Sequence, residues 1–406
     1  MRSVKKQIFS GSRHIGSRYF SLLMLIVAVL CSTASSGQQC VSITSYGGIG
    51  DGKTNNSPSL ASAFAALPST GGCISFPGGR YKFNTAVTLS YPASKAQFAL
   101  TLVGAGTDAT TLYWAASNGI TINANGALQT THVRDLTFST GSTSGSYSGL
   151  ILNNSQPLGA LGVSDIVRTT FRGDDGGNAT EYWGNGISVA GQSNINFEGD
   201  NFLGASVGTG GNGILLNGNT SVSPYYGIVF NIANCGFFWT GNGIAIGNYI
   251  QGVTVTQSNF TNGLTGINLL PSTSGQFDEL NVTAGNQFNT TGNQIITQQF
   301  CLHLIVSGNL FFVSPGNSGI FLDSSGLNHT VVNNVFMGNG SSPGFTGIYV
   351  SNSNQNTIVS GNSFYNLSQG IDLIGTSGWT VLGNSWATIT TNVANVGSNS
   401  VGVVTD

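Results

Sequence analysis

The amino-acid sequence predicts an all-β protein: a right-handed parallel β-helix of about ten coils, with a short N-terminal capping helix. Two repeated patterns carry this prediction. An aromatic residue recurs every 22 to 35 residues, and a glycine followed by alternating apolar residues recurs between the aromatics. Such short alternating segments are typical of strands. A unit this short cannot bury its own apolar face, so neighbouring units must stack in parallel, about 4.8 Å apart.

The aromatic residue of each repeat is expected to anchor its coil in the interior. Aligned anchors would form one continuous stack of rings, and the residue five positions before each anchor should also point inward. The ten anchors are Phe138, Phe171, Phe202, Phe237, Phe260, Phe288, Phe311, Phe336, Phe364 and Trp386. The ten residues five positions earlier are Val133, Ile166, Phe197, Ile232, Val255, Thr283, Val306, Val331, Val359 and Val381.

An asparagine stands two positions before each of the last five anchors. Asparagine tolerates turn geometry, and stacked amides can satisfy one another's hydrogen bonds. We therefore expect a structural side-chain ladder at a turn, in which Asp200 is a substitute rung. The five asparagines are Asn286, Asn309, Asn334, Asn362 and Asn384.

The bulk composition narrows the classes of function. Charged residues make up only 6% of the 406 residues, the net charge is −2, and there are 59 glycines. A disordered chain would need a higher net charge and fewer aromatic residues. The sequence is not basic enough to suggest a nucleic-acid partner.

The N-terminus has the layout of a secretory signal peptide. Basic residues precede the apolar run at 20–30, and small residues follow it. The run is too short to span a membrane. We therefore predict a signal peptide at 1–36 and a single β-helix domain at 37–406, secreted to the periplasm or the extracellular space, with no membrane contact after cleavage.

Four cysteines remain after this segment. Cys40 and Cys73 flank the first structural unit and are predicted to form a disulfide, which an exported protein permits. Cys235 and Cys301 occupy different phases of the repeat, so we expect both to be buried and unpaired. No Cys/His cluster is present, so no metal site is predicted.

The segment before the repeats resembles a known family. It comprises the run 45–56, a helix in which Pro58 takes a first-turn position, and the run 71–81. Together they are similar to the opening module of the pectate-lyase superfamily, of the rhamnogalacturonase- and epimerase-like kind related to glycoside hydrolase family 28. The resemblance assigns 41–83 to this module and its cap. It implies a β-helix fold and a polysaccharide substrate or glycan ligand.

The same N-terminal run also fits the pattern of a phosphate-binding loop, through Gly47, Gly52, Lys53 and Thr54. A nucleotide-hydrolysing enzyme needs alternating strands and helices, which the rest of the chain lacks. We therefore expect no nucleotide partner.

Charged residues are concentrated on about three consecutive coils, between His132 and Asp200. Glycoside hydrolysis needs two carboxyl groups, about 5–5.5 Å apart for retention or about 6.5–9.5 Å apart for inversion. Neighbouring coils can supply either separation. We predict Asp174, Asp175 and Glu198 as the catalytic candidates, one as proton donor and another as base. The structural alternatives are that Asp174 and Asp175 form a turn and that Glu198 pairs with Arg168 on the surface.

Residues around these acids are predicted to bind the substrate. They combine cations, an acid and aromatic rings, and they are Arg168, Arg172, Glu181, Tyr182 and Trp183. A secreted polysaccharide hydrolase without a cofactor is the favoured interpretation. A non-catalytic glycan-binding or adhesin-type protein is the first alternative. A polysaccharide lyase is the second, and it alone would call for Ca²⁺.

Overall fold

The computed structural model describes residues 40–155, 162–206, 210–218, 227–272, 277–338, 345–352, 354–397 and 399–401. These described residues belong to one compact unit. The predicted signal peptide at 1–36 lies outside the described residues.

The described chain winds through three long sheets in which every pair of neighbouring strands is parallel. After the first coil, which has no strand in sheet C, each complete coil contributes a strand to sheet A, then to sheet B, then to sheet C, which is the topology of a parallel β-helix. The 14 strands of sheet A are Val41–Ser42, Gly71–Phe76, Gln97–Gly104, Leu128–Arg134, Ser164–Val167, Ile195–Glu198, Gly227–Ala233, Ile250–Thr256, Asp278–Thr283, Leu304–Ser307, Thr330–Val332, Ile358–Ser360, Thr380–Leu382 and Ser400–Val401. The 13 strands of sheet B are Asp51–Asn55, Gly79–Phe83, Thr110–Trp114, Thr137–Thr140, Thr170–Gly173, Asn201–Leu203, Gly236–Phe238, Asn259–Thr261, Gln287–Asn289, Leu310–Val313, Val335–Gly338, Ser363–Tyr365 and Ser385–Ala387. The 12 strands of sheet C are Val87–Ser90, Ile120–Ala124, Ser148–Asn154, Asn185–Ala190, Gly210–Asn217, Thr240–Ile246, Thr265–Leu269, Ile295–Thr297, Ser318–Leu322, Thr346–Val350, Gln369–Leu373 and Thr391–Ala394.

The solenoid is longer than the expected ten coils, because coils without a phenylalanine anchor precede Phe138. Tyr81 and Leu112 occupy the anchor position there, in register with Phe138. A small additional sheet pairs Gly326–Leu327 with Asn354–Gln355.

The interior contains the predicted column of aromatic rings. From Phe138 to Trp386 every consecutive pair of anchors is stacked, with ring centroids 4.6 to 5.2 Å apart. One inward residue was predicted wrongly. Val282, not Thr283, aligns with Val255 and Val306 and is fully buried, since the turn before Phe288 contains one extra residue.

The asparagine ladder is also present, at the turn between sheets A and B. The side-chain oxygen of Asn309 accepts from the backbone N–H and from Nδ2 of Asn286, at 3.2 and 2.9 Å. The same pair of bonds links Asn309 to Asn334 and Asn334 to Asn362. Each rung therefore fastens one coil to the next.

The N-terminal end begins with a 3₁₀ turn at Ile43–Tyr46 and a disulfide between Cys40 and Cys73. The single α-helix of the described residues spans Ser57–Ala65 and buries Leu60 and Ala63. Cys235 and Cys301 are buried and unpaired.

Candidate functional site

The charged residues between His132 and Asp200 do not form one cluster. Those on the outer face of sheet A, and at its turn into sheet B, form the sheet A cluster: His132, Arg134, Asp135, Asp165, Arg168 and Glu198. Arg172 and Asp174 follow sheet B, where they meet residues from earlier coils and form the Arg80 surface: Arg80, Lys82, Tyr113, Ser139, Arg172 and Asp174.

The sheet A cluster is a network that joins two coils. Asp165 pairs with His132 in register, as the outward phase of the repeat predicts. Its carboxylate accepts from Nδ1 of His132 at 2.7 Å and from two nitrogens of Arg134 at 2.9 and 3.0 Å. Burial pushes the pKa of Asp165 upward, but these hydrogen bonds outweigh it and lower the pKa to about 2.

Glu198 and Arg168 both belong to the sheet A cluster. Arg168 forms a bidentate ion pair with Asp135, at 2.7 and 2.9 Å, rather than with Glu198. Asp135 is the main cause of the raised pKa of Arg168, and the charge of Glu198 adds to it. Glu198 is exposed and lies on a different sheet from the strand that leads to Asp174 and Asp175.

The Arg80 surface forms because residues on neighbouring strands of sheet B are in register. Lys82, Tyr113, Ser139 and Arg172 are aligned on four successive strands of sheet B, each one residue after the inward anchor of its coil. Successive strands are about 4.8 Å apart, so this outward row is about 14 Å long.

Arg80 and Asp174 stand beside this row. The Arg80 guanidinium donates to both oxygens of Asp174, at 2.5 and 2.9 Å, and lies 3.9 Å from the centre of the Tyr113 ring. The Ser139 hydroxyl donates to the same carboxylate at 3.2 Å. The hydrogen bond to Asp174 is the main reason why the pKa of Arg80 is raised. Both charges are therefore held in fixed positions.

Asp175 and Glu181 close the loop that follows Asp174. The backbone N–H of Asp175 donates to Oε2 of Glu181 at 2.9 Å, and the carboxylate of Asp175 accepts from the backbone N–H groups of Thr180 and Glu181. Burial opposes ionisation of Asp175, but the hydrogen bonds from Thr180 and Glu181 prevail, so the pKa of Asp175 is lowered. These contacts organise the loop.

The predicted role of Trp183 is wrong. Its side chain is only 4% exposed, and its indole N–H donates to the Phe138 carbonyl at 3.2 Å. Trp183 packs edge-on against Trp114 in the core and cannot support a ligand at the surface. Tyr182 is half-exposed beside Gly145, so its predicted role remains a prediction.

Sequence reasoning missed Arg80, Lys82 and Tyr113. All three precede the charged segment, and Arg80 is 94 residues away from Asp174. One signal could have found them. Extending the anchor series back to Leu112 and Tyr81 places Tyr113 and Lys82 one residue after an anchor, in the same phase as Arg172.

Comparison with known proteins assigns the family. The family described as periplasmic copper-binding protein (NosD) matches residues 193–403, just over half of the 406 residues. The chain belongs to the NosD family. Among the described residues of this NosD-family protein, no helix is long and apolar enough to cross a membrane. Comparison with curated proteins gives no match.

Solved structures similar to this NosD-family protein are β-helix proteins. The A-module of mannuronan C-5 epimerase AlgE6 from Azotobacter vinelandii is 16% identical, with a TM-score of 0.60 over 89% of this chain and 97% of that one. The Dettilon tailspike protein is 13% identical, with a TM-score of 0.63 over 88% and 70%. PfbA, a surface adhesin of Streptococcus pneumoniae, is 15% identical, with a TM-score of 0.52 over 87% and 93%. At these identities the likeness concerns the fold, and at that level the resemblance to the pectate-lyase superfamily is confirmed.

The copper in the family description can be tested against the donor groups of this NosD-family protein. Copper favours imidazole, thiolate and thioether ligands. Nowhere in the described ranges do three His, Cys, Asp or Glu side chains converge as a metal site would require. His132 and His303 each bind a carboxylate, and His329 is buried against Asn354. Burial also raises the pKa of the Cys235 and Cys301 thiols, which disfavours the thiolate form. The described residues therefore do not fit a copper site.

Proposed function

We propose that this NosD-family protein is exported and binds an acidic polysaccharide along the Arg80 surface. The outward row on sheet B carries this proposal. Lys82 and Arg172 stand at its two ends, with the partly exposed Tyr113 between them. Ser139, the remaining member of the row, is buried and donates to Asp174. Among the described residues, Lys82 and Arg172 take part in no ion pair, so their charges are available to a ligand.

The chemistry of the row suits a sugar chain that carries carboxylates. An aromatic ring such as that of Tyr113 offers an apolar face to a sugar. The guanidinium of Arg172 can bind a carboxylate bidentately. Arg80 is neutralised by Asp174 and lies against Tyr113, so its part is to hold the ring in place. The row is long enough to contact more than one sugar.

Binding without turnover is the role that the geometry supports best. Hydrolysis needs one carboxyl group as proton donor and a second as base or nucleophile, on either side of the scissile bond. Asp174 is engaged by Arg80 and Ser139, Asp175 holds its loop, and Glu198 lies on another sheet. The three predicted catalytic residues thus do not provide an opposed pair.

Hydrolysis is the second candidate, and one observation favours it. Glu181 is close enough to contribute, with Asp174, to the raised pKa of Arg80, and only its Oε2 atom accepts a hydrogen bond in the described structure. Asp174 and Glu181 would then be the acid–base pair. A lyase would require a base next to Lys82 or Arg172, and we place it third.

A binding screen with a parallel assay of turnover tests the proposal. Oligogalacturonate, oligomannuronate and neutral glucan are titrated into the full chain, while release of reducing ends and absorbance of unsaturated uronides are followed. We expect saturable binding of an acidic oligomer without turnover, which Lys82→Ala weakens about fivefold and the exposed Lys95→Ala leaves unchanged. Reducing ends without unsaturated product would favour hydrolysis. Failure of every acidic oligomer to bind would contradict the proposal.

A further inference from the structure

We propose that a groove at the end of sheet C is a second binding subsite, specific for an uncharged sugar residue. This Ala190 groove has a volume of about 450 Å³ and lies on a different sheet from the Arg80 surface. Eight residues line it, among them Ser90, Asn123, Asn125, Asn153, Ser155 and Ala190. The inference rests on the proposed function, because it supplies a second contact for a polysaccharide, at a sugar residue that carries no carboxylate.

The groove arises where a row of polar side chains is interrupted. Ser90, Asn123, Asn153, Ala190 and Asn217 are aligned on successive strands of sheet C. Nδ2 of Asn153 donates to Oδ1 of Asn123 at 3.0 Å, so the amides bond from coil to coil up to that point. The next rung is Ala190, whose methyl group can neither donate nor accept. Its small side chain leaves a notch, and Oδ1 of Asn153 receives no donor from that rung.

A parallel row on the same sheet shows what an uninterrupted ladder does. Asn185, Asn212 and Asn242 are aligned on successive strands and joined by amide hydrogen bonds of 2.9 and 2.8 Å. Oδ1 of Asn242 then accepts from Nδ2 of Asn268 at 3.1 Å, although Asn268 is not in register with it. The side-chain oxygens of the three aligned asparagines are therefore all used within the protein. The break at Ala190 therefore leaves acceptor capacity that a ligand can use.

The other wall of the groove is fixed by its own contacts. Ser155 donates to Oδ1 of Asn125 at 3.0 Å, and the Asn125 side chain donates to the Tyr91 carbonyl at 3.1 Å. The backbone N–H of Asn125 donates to the Gln129 side chain at 2.7 Å. The polar atoms of this wall are thus held in place before a ligand arrives, which lowers the entropic cost of binding.

The lining determines the class of ligand. It contains amides, hydroxyls and two alanine methyl groups, and none of its residues is ionisable. Amides and hydroxyls both donate and accept, as sugar hydroxyls do, whereas a carboxylate would find no cation among these residues. The volume falls within the range of small-molecule sites, about 300–1,000 Å³. An uncharged sugar residue meets these conditions, and its C–H face can rest on Ala190.

The test is to fill the groove with a larger side chain at position 190. Cellohexaose, mannohexaose, galactohexaose and chitohexaose are titrated calorimetrically into the full chain, its Ala190→Leu variant and its Ala387→Leu variant. Ala190 is half-exposed, so the larger side chain extends into the groove and not into the core. Ala387 is an exposed alanine on sheet B and controls for the same chemical change.

We expect at least one neutral hexaose to bind, with an affinity that falls about tenfold in Ala190→Leu and is unchanged in Ala387→Leu. Asn153→Ala should weaken the same hexaose.

Two outcomes would overturn the subsite: failure of all four hexaoses to bind, or equal binding by the wild type and Ala190→Leu. Binding of oligogalacturonate to the same preparations separates this inference from the proposed function. If that binding still depends on Lys82, the Arg80 surface stands and the neutral subsite alone fails. If neither oligomer class binds, both proposals fail.

Discussion

The guanidinium of Arg80 forms a bidentate ion pair with the carboxylate of Asp174, although the two residues are 94 positions apart in the sequence. Three steps along sheet B bring them together. Because Arg80 also lies over Tyr113, the acid fixes the cation and the cation fixes the ring. In this arrangement Asp174 positions Arg80, whereas the sequence predicted it as one of three candidates for proton donor or base.

Replacing Asp174 separates these two roles. Asp174→Asn removes a negative charge from the Arg80 surface but keeps an oxygen that can accept from Arg80. We expect oligogalacturonate to bind about two- to fivefold more tightly at low ionic strength, with the gain reduced by added salt. Isothermal titration at two salt concentrations measures this. Abolished reducing-end release with unchanged binding would instead identify Asp174 as a catalytic acid or base.

The asparagine ladder should control stability without affecting binding. Asn286→Ala and Asn334→Ala each leave buried partners unsatisfied, at a cost of about 1–3 kcal/mol per site. The exposed Asn259, on sheet B, provides a matched control as Asn259→Ala. Thermal unfolding should show a lower Tm for the two ladder variants and an unchanged Tm for the control. Equal Tm values for all three would contradict a structural role for the ladder.

Asp200 occupies a ladder position, and its chemistry differs from that of the other rungs. It is fully buried, Oδ1 accepts from the Thr169 backbone N–H at 2.8 Å, and Oδ2 has no partner among the described residues. Burial raises the pKa of Asp200 well above its ordinary value. The stability it contributes is therefore complete below the unfolded pKa of about 3.9, and it is lost as the pH rises through the folded pKa.

Asp200→Asn should consequently stabilise the protein at neutral pH. The amide cannot ionise and can donate as the other asparagine rungs do. We expect the Tm advantage of the variant over the wild type to be small near pH 4 and to increase towards pH 8. Calorimetric scans across this range test the sign. An advantage that is independent of pH would show that ionisation of Asp200 is not involved.

Asp165 should show the opposite dependence. Its folded pKa of about 2 lies below the unfolded value of about 3.9, so the stability it contributes is present above pH 4 and is lost as the pH falls towards 2. Asp165→Asn removes this contribution. The Tm difference between wild type and variant should therefore shrink between pH 5 and pH 2. A constant difference would mean that His132 and Arg134 do not favour the ionised form.

Most of the interior of this protein could be predicted from its sequence, whereas only part of the candidate functional surface could. The column of aromatic rings could be predicted because one aromatic residue recurs in every repeat. The alternation of inward and outward residues along each strand then determines which neighbours of the anchor point inward. Thr283 was misplaced because one extra turn residue shifts the phase. Trp183 was wrongly expected at the surface because the long loop before it has no alternating pattern from which the direction of its side chain could be predicted. Arg80 was missed since contacts between coils depend on register over three coils, which a local pattern does not reveal.

The most direct test of the account compares two tyrosines in the same phase of sheet B. Tyr113 and Tyr365 each lie one residue after the inward anchor of their coil, but only Tyr113 belongs to the Arg80 surface. Tyr365 is 48% exposed, so its replacement leaves the core intact. Isothermal titration with oligogalacturonate should show affinity about tenfold weaker for Tyr113→Ala and within about twofold of wild type for Tyr365→Ala. Wild-type affinity in Tyr113→Ala, or equal losses in both variants, would contradict binding at the Arg80 surface.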